Sequence, residues 1–174
     1  MNDNDELILV DLDDNEIGSM NKMDAHVLGK LHRAFSIFII NGDEMLIQKR
    51  NKNKYHSGGL WANACCSHPR KGEELKDAIP RRLKDELGID ANAKEVFHFI
   101  YKTIFNENLY EYELDHVFLT TYDGEIKFNP DEIEEVKWIK IDKLKKDVVE
   151  HSENYSSWFI IALPKLLEKL NGLD

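Results

Sequence analysis

A single α+β or layered α/β/α domain is the fold that the sequence predicts, on three observations. β-like segments dominate, with one strong amphipathic helix inside the chain and helical periodicity at its end. No internal repeat or low-complexity linker divides them. The 174 residues, 42% of them hydrophobic, suffice for one core and are short for two, so 1–174 is expected to form one domain.

The elements follow in order. Leu7 to Asp11 alternates weakly, then Asp13, Asp14, Asn15, Glu16 and Gly18 read as a polar turn into a second short strand. A calcium loop fails here, because counting from Asp11 places Glu16 where an EF-hand needs glycine. Met23 to Leu31 has near-helical spacing. Ala34 to Ile40 is a dense apolar strand closed by Asn41-Gly42-Asp43 and followed by Met45 to Ile47, a hairpin. Leu75, Ala78, Ile79, Leu83 and Leu87 keep helical spacing before Gly88, with Pro80 predicting a bend or a helix whose regular part starts just before it. Val96 to Thr103, Leu109 to Tyr122 and Glu135 to Ile141 are strand-like. Lys143 to Glu150 and Ser157 to Leu170 are helical, with Pro164 predicting an interruption.

With 33 acidic and 23 basic residues the chain carries a formal charge of -10. That argues against a nucleic-acid or anionic-membrane surface, so an anionic ligand would need locally gathered cations. No window approaches the roughly 20 apolar residues of a membrane span, and the acidic N-terminus lacks a signal peptide's regions, so a cytoplasmic protein is expected. Adjacent Cys65 and Cys66 seldom meet ordinary disulfide geometry; each can be a core thiol, a metal ligand or a reactive thiolate.

Four constellations could carry chemistry. Glu111 and Glu113, one residue apart in a strand, share a face, where they repel, share a cation, or sit solvated. His26, His32 and His68 could join them in a mixed N/O site suited to Mn, Zn or Fe, although isolated histidines are more often surface or core groups. The six-residue interval from His26 to His32 demands a bend between them. Arg50, Lys52 and Lys54, with Arg81 and Arg82, offer a phosphate clamp or a solvated loop. In an extended backbone, Cys66 and His68 face one side, where a nearby cation favours thiolate.

The stretches Ala25 through Ser36, Trp61 through Pro69, Arg81 through Gly88 and Glu111 through Phe118, with Tyr101 and Trp158, resemble the type I isopentenyl-diphosphate isomerases of the Nudix superfamily. Anchoring the Nudix box G-x5-E-x7-R-E-U-x-E-E-x-G-U on Gly88 puts Ser67 at its first Gly, Glu73 at its first Glu and Arg81 at its Arg. Asp85, Glu86 and Ile89 complete the end, but Arg82 stands where hydrolases carry Glu. A cation there opposes Mg²⁺-assisted pyrophosphate cleavage and suits holding a diphosphate intact.

The resemblance implies a Nudix-type fold with a mixed sheet, a central box helix and a helical C-terminal tail. It implies reversible isomerisation of isopentenyl diphosphate to dimethylallyl diphosphate through a tertiary carbocation, with Cys66 on one side and Glu113 with Tyr101 on the other. Trp158 would face the cation. His26, His32, His68, Glu111 and Glu113 match the metal ligands, for one Mn²⁺ or Zn²⁺, and Glu86 matches the residue of a Mg²⁺ that bridges to the diphosphate. Lys22, Arg50, Lys54 and Arg82 match the phosphate-binding positions. A closing segment around Lys22 to His32 would exclude water. The partner is a small diphosphate, with no nucleic acid or membrane, and a monomer is the default. The rivals are a Nudix pyrophosphohydrolase and a metal- or diphosphate-binding regulator on the same scaffold.

Overall fold

Asp11 builds the first turn. Its Oδ1 accepts from the backbone N–H groups of Asp13 and Asn15 at 2.9 and 3.0 Å, and Asp14 takes a left-handed φ of 65°. Aspartate tolerates that conformation because its short side chain bonds locally. The acidic cluster is thus a polar hairpin turn, joining β1 (Glu6–Val10) to β2 (Glu16–Asn21). This computed structural model describes residues 5–54, 57–106 and 108–172.

α1 (Lys22–Leu28) starts where Asn21 Oδ1 accepts the Asp24 N–H at 2.9 Å and ends at Gly29, φ 64°. β3 (His32–Asn41) and β4 (Glu44–Arg50) form the expected hairpin. Two short strands follow, β5 (Trp61–Asn63) and β6 (Cys65–Ser67). α2 (Leu75–Leu87) begins five residues before Pro80, so the proline removes a backbone donor only in the second turn. Its end at Gly88 requires glycine twice over: φ is 65°, and a β-carbon would lie 2.8 Å from the Lys127 carbonyl oxygen.

β7 (Lys94–Asn106), β8 (Leu109–Thr121) and β9 (Ile133–Lys140) precede α3 (Ile141–Glu150) and α4 (Ser157–Gly172). The interruption expected at Pro164 does not occur. α4 runs through it because Phe159, Ala162, Leu163 and Leu166 are buried on its inner side, while Pro164 lies on the exposed side, where water can serve the carbonyl left without a donor.

The strands make one mixed sheet in the order β2-β1-β3-β4-β5, with β8 parallel to β3, β7 antiparallel to β8, β6 on β3 and β9 on β4. Alternation along β3 separates two cores. Phe35, Ile37 and Ile39 pack with Ala78, Leu83 and Leu87 of α2. Phe38 packs with Val117 of β8 and with Leu144, Phe159 and Leu163 of α3 and α4. The result is an α/β/α sandwich, and the chemistry-bearing residues lie at one end of its second core. No helix among the described residues is long and apolar enough to cross a membrane.

Candidate active site

Parallel pairing of β3 with β8 sets His32 opposite Glu113 and Ala34 opposite Asp115. Glu111, Glu113 and Asp115 alternate onto the same side of β8 as Val117, and all three are buried. The bend required between His26 and His32 is supplied by the end of α1 at Gly29, which folds the chain back into β3. The two imidazoles meet edge to face with ring centroids 5.5 Å apart. His68, just past β6, brings its ring 5.0 Å from that of His32.

His32 Nε2 and His68 Nε2 lie 3.0 and 2.6 Å from Glu113 Oε2, while the cross-strand neighbour Tyr101 donates its hydroxyl to Glu113 Oε1. Burial disfavours charge on Glu113, yet the two imidazoles beside it hold it well below the ordinary carboxylate range. Glu111 shifts the other way. Burial, reinforced by the Glu113 charge, raises it to about 8, although Arg50, His32 and Lys22 pull it down. His68 falls to about 4, chiefly through burial.

Donor atoms of His32, His68 and Glu113 lie within 4.8 Å of one another, and the set suits a divalent ion. His32 Nδ1 sits 3.0 Å from the Lys30 carbonyl oxygen, to which only an N–H can donate, so Nε2 is the ring nitrogen that faces the cluster and would ligate an ion in the neutral imidazole. His26 packs edge to face against His32 of this group, and Glu111 lines the same pocket.

Across the pocket, Cys66 donates its thiol to Asn63 Oδ1 at 3.2 Å, and Trp158 donates its indole N–H to the same oxygen at 3.0 Å. Burial pushes the Cys66 thiol well up, and the Arg50 charge offsets this only in part, so the thiol carries its proton. Arg50 stands over the Trp158 ring, 5.0 Å from its centroid. Lys22, Arg50, Lys54 and Arg82 line the pocket together. In an acidic protein these cations need counter-charges. Lys54 pairs with Glu132, and Arg82 lies 3.2 Å from Glu86 and 3.7 Å from Glu132.

The NUDIX domain model matches residues 30–159. An isopentenyl-diphosphate Delta-isomerase 2 of Aromatoleum aromaticum is 46% identical over 171 residues, covering 97% of this chain and 90% of its own. Its namesake in Photorhabdus laumondii is 49% identical over 154 residues, covering 88% and 87%. The chain belongs to the isopentenyl-diphosphate Delta-isomerases of the Nudix family. A crystal structure of a Deinococcus radiodurans protein shares the fold, with a TM-score of 0.76, 17% identity and coverage of 92% of this chain and 98% of that one. So does the MutT protein of Methanosarcina mazei, at 0.66 and 16%, covering 80% and 94%.

Within this isomerase scaffold the two box arginines part company. Arg82 is buried in the pocket, whereas Arg81 is taken up by a fork of bonds to Glu73 at 2.7 and 2.8 Å and does not line it. Lys52 is exposed and also stays out. Glu86 accepts the Cys65 thiol at 3.1 Å as well as Arg82. Sequence reasoning missed Asn63, Asp115 and Glu132. Asn63, a polar residue among apolar ones just before the cysteines, was the visible signal; Glu132, far downstream, gave none.

Proposed function

We propose that this chain, as one domain, interconverts isopentenyl and dimethylallyl diphosphate by proton transfers at opposite sides of the substrate. Moving the double bond adds a proton at one carbon and removes another two carbons away, through a tertiary carbocation. The observation that carries the reading is one pocket that gathers a β6 thiol bonded to Asn63, a β8 carboxylate bonded to the Tyr101 hydroxyl of β7, and four cations from α1, β4, the loop after it and α2.

Cys66 and the Glu113–Tyr101 pair then act as the two proton-transfer groups, one donating while the other accepts, with the roles exchanged in reverse. The Trp158 ring, its edge anchored by Asn63, presents its face to the carbocation. Lys22, Arg50, Lys54 and Arg82 grip the diphosphate, and closure of the Lys22–His32 segment keeps water from the cation. His26, His32, His68, Glu111 and Glu113 would hold a divalent ion, Mn²⁺ or Zn²⁺, whose charge would fix Glu113 and tune its basicity, and Glu86 would hold a Mg²⁺ that would offset the charge of the diphosphate.

Hydrolysis is the weaker reading because the box carries a buried cation, Arg82, where hydrolases carry Glu, which leaves fewer carboxylates to hold the Mg²⁺ ions of pyrophosphate cleavage. An NMR time course with isopentenyl diphosphate and Mg²⁺ in D2O tests the choice. Dimethylallyl diphosphate carrying deuterium, with unchanged phosphorus signals, supports isomerisation; phosphate release without it overturns the reading.

A further inference from the structure

We propose that Glu95, His98 and His116 form a second divalent-metal site, for a borderline first-row ion such as Zn²⁺, on the face of β8 opposite the pocket. Their donor atoms lie within 4.8 Å of one another. β8 alternates Glu111, Glu113 and Asp115 onto the pocket side, so His116 falls on the other side with Leu114, which packs against Ile8 and Val10 of β1.

A β-bulge assembles the ligands. His98 and His116 are direct cross-strand partners, with ring centroids 5.5 Å apart. Glu95 stands three residues before His98, which in a regular strand would send it to the opposite face. The register shift between Glu95 and Phe97 inserts one residue and returns Glu95 to the side of the two histidines.

His116 is also oriented as a ligand would be. Its Nδ1 lies 3.1 Å from both carboxylate oxygens of Glu95, and its Nε2 lies 2.9 Å from Asp14 Oδ2. Asp14 is fixed in turn by Arg33, which donates to its carboxylate at 2.9 Å and to its carbonyl at 2.8 Å. A carboxylate behind one imidazole nitrogen sets the tautomer and raises the basicity of the other, which is how metal-binding histidines are commonly held. Nδ1 is then free to share an ion with Glu95 and His98, leaving a fourth position to water. Two imidazoles and one carboxylate suit Zn²⁺ rather than Mg²⁺ or Ca²⁺. His116 is buried, while Glu95 and His98 are exposed, so an ion can enter from solvent.

The test counts zinc after equilibrium dialysis of the full chain, wild type beside His98→Ala and Glu95→Gln. Both substitutions are at exposed positions outside the pocket. Each should bind one zinc fewer per chain than wild type while isomerase turnover is unchanged, and Asp14→Ala should weaken this zinc by roughly 10- to 100-fold. His68→Ala should lose the pocket ion and keep this one, so failure of the two sites is told apart. In ¹⁵N NMR of the imidazoles, Zn²⁺ should shift Nδ1 of His116 and leave its Nε2–H in place. Equal zinc contents in wild type and both variants, or a His116 ring protonated on both nitrogens and indifferent to Zn²⁺, would overturn the proposal and leave an imidazolium clamped between Glu95 and Asp14.

Discussion

Replacing Asn63 by alanine removes a side chain that holds both the thiol and the indole. Asn63 is fully buried and makes four hydrogen bonds: Nδ2 donates to the carbonyls of Ile37 and Cys65 at 3.0 and 2.9 Å, and Oδ1 accepts from Cys66 and Trp158. A neutral hydrogen bond contributes about 1 kcal/mol net, so losing four costs roughly 4 kcal/mol, and somewhat less if water enters the space. The kinetic effect is separate. With Oδ1 gone, neither the Cys66 proton nor the Trp158 ring is aimed, and misplacement of catalytic groups on an ångström scale costs about 100-fold in rate. Urea unfolding gives the first quantity and turnover by NMR in D2O the second. A variant that unfolds within about 1 kcal/mol of wild type and turns over normally would refute the claim that Asn63 positions both groups.

Other consequences follow from the same geometry. Dialysis against a chelator should stop turnover, and His68→Ala should lose the pocket metal together with activity, read by metal analysis of the purified variant. Glu132 is held at about 2 against an ordinary 4.5; burial works against this, and the Lys54 and Arg82 charges achieve it. Its ionised form therefore stabilises the fold above pH 4.5, and that contribution is lost as pH falls from 4.5 towards 2. Glu132→Gln should lose stability less steeply than wild type across this window in acid-unfolding curves. Leu83 is fully buried between α2 and the sheet, so Leu83→Ala should cost roughly 2 to 5 kcal/mol by urea unfolding, with KM unchanged.

Local signals in the sequence reached far where one face of an element carried them. The Glu111 and Glu113 spacing placed both carboxylates on one side of β8, and the six-residue step from His26 to His32 required the bend that Gly29 makes. Non-local pairing was harder to read. Nothing in the order of residues distinguishes Arg81 from Arg82 until Glu73 claims the former and the pocket the latter. Pro164 misled because tertiary packing of α4 outweighs one missing backbone bond. Glu132 and Asp115 became visible only once β3, β8 and the start of β9 were assembled. The histidines of β7 and β8 needed the bulge at Val96 to meet Glu95, and a bulge leaves little trace in a run of strand-forming residues.

The proposed isomerisation rests on Cys66 and Glu113 as the two proton-transfer groups, and turnover of Cys66→Ala and Glu113→Gln under one assay tests it most directly. Each variant should unfold as cooperatively as wild type and lose roughly 10² to 10⁴ in the rate of dimethylallyl diphosphate formation, since each lacks one positioned acid or base. A folded variant of either kind that isomerises at the wild-type rate would contradict it.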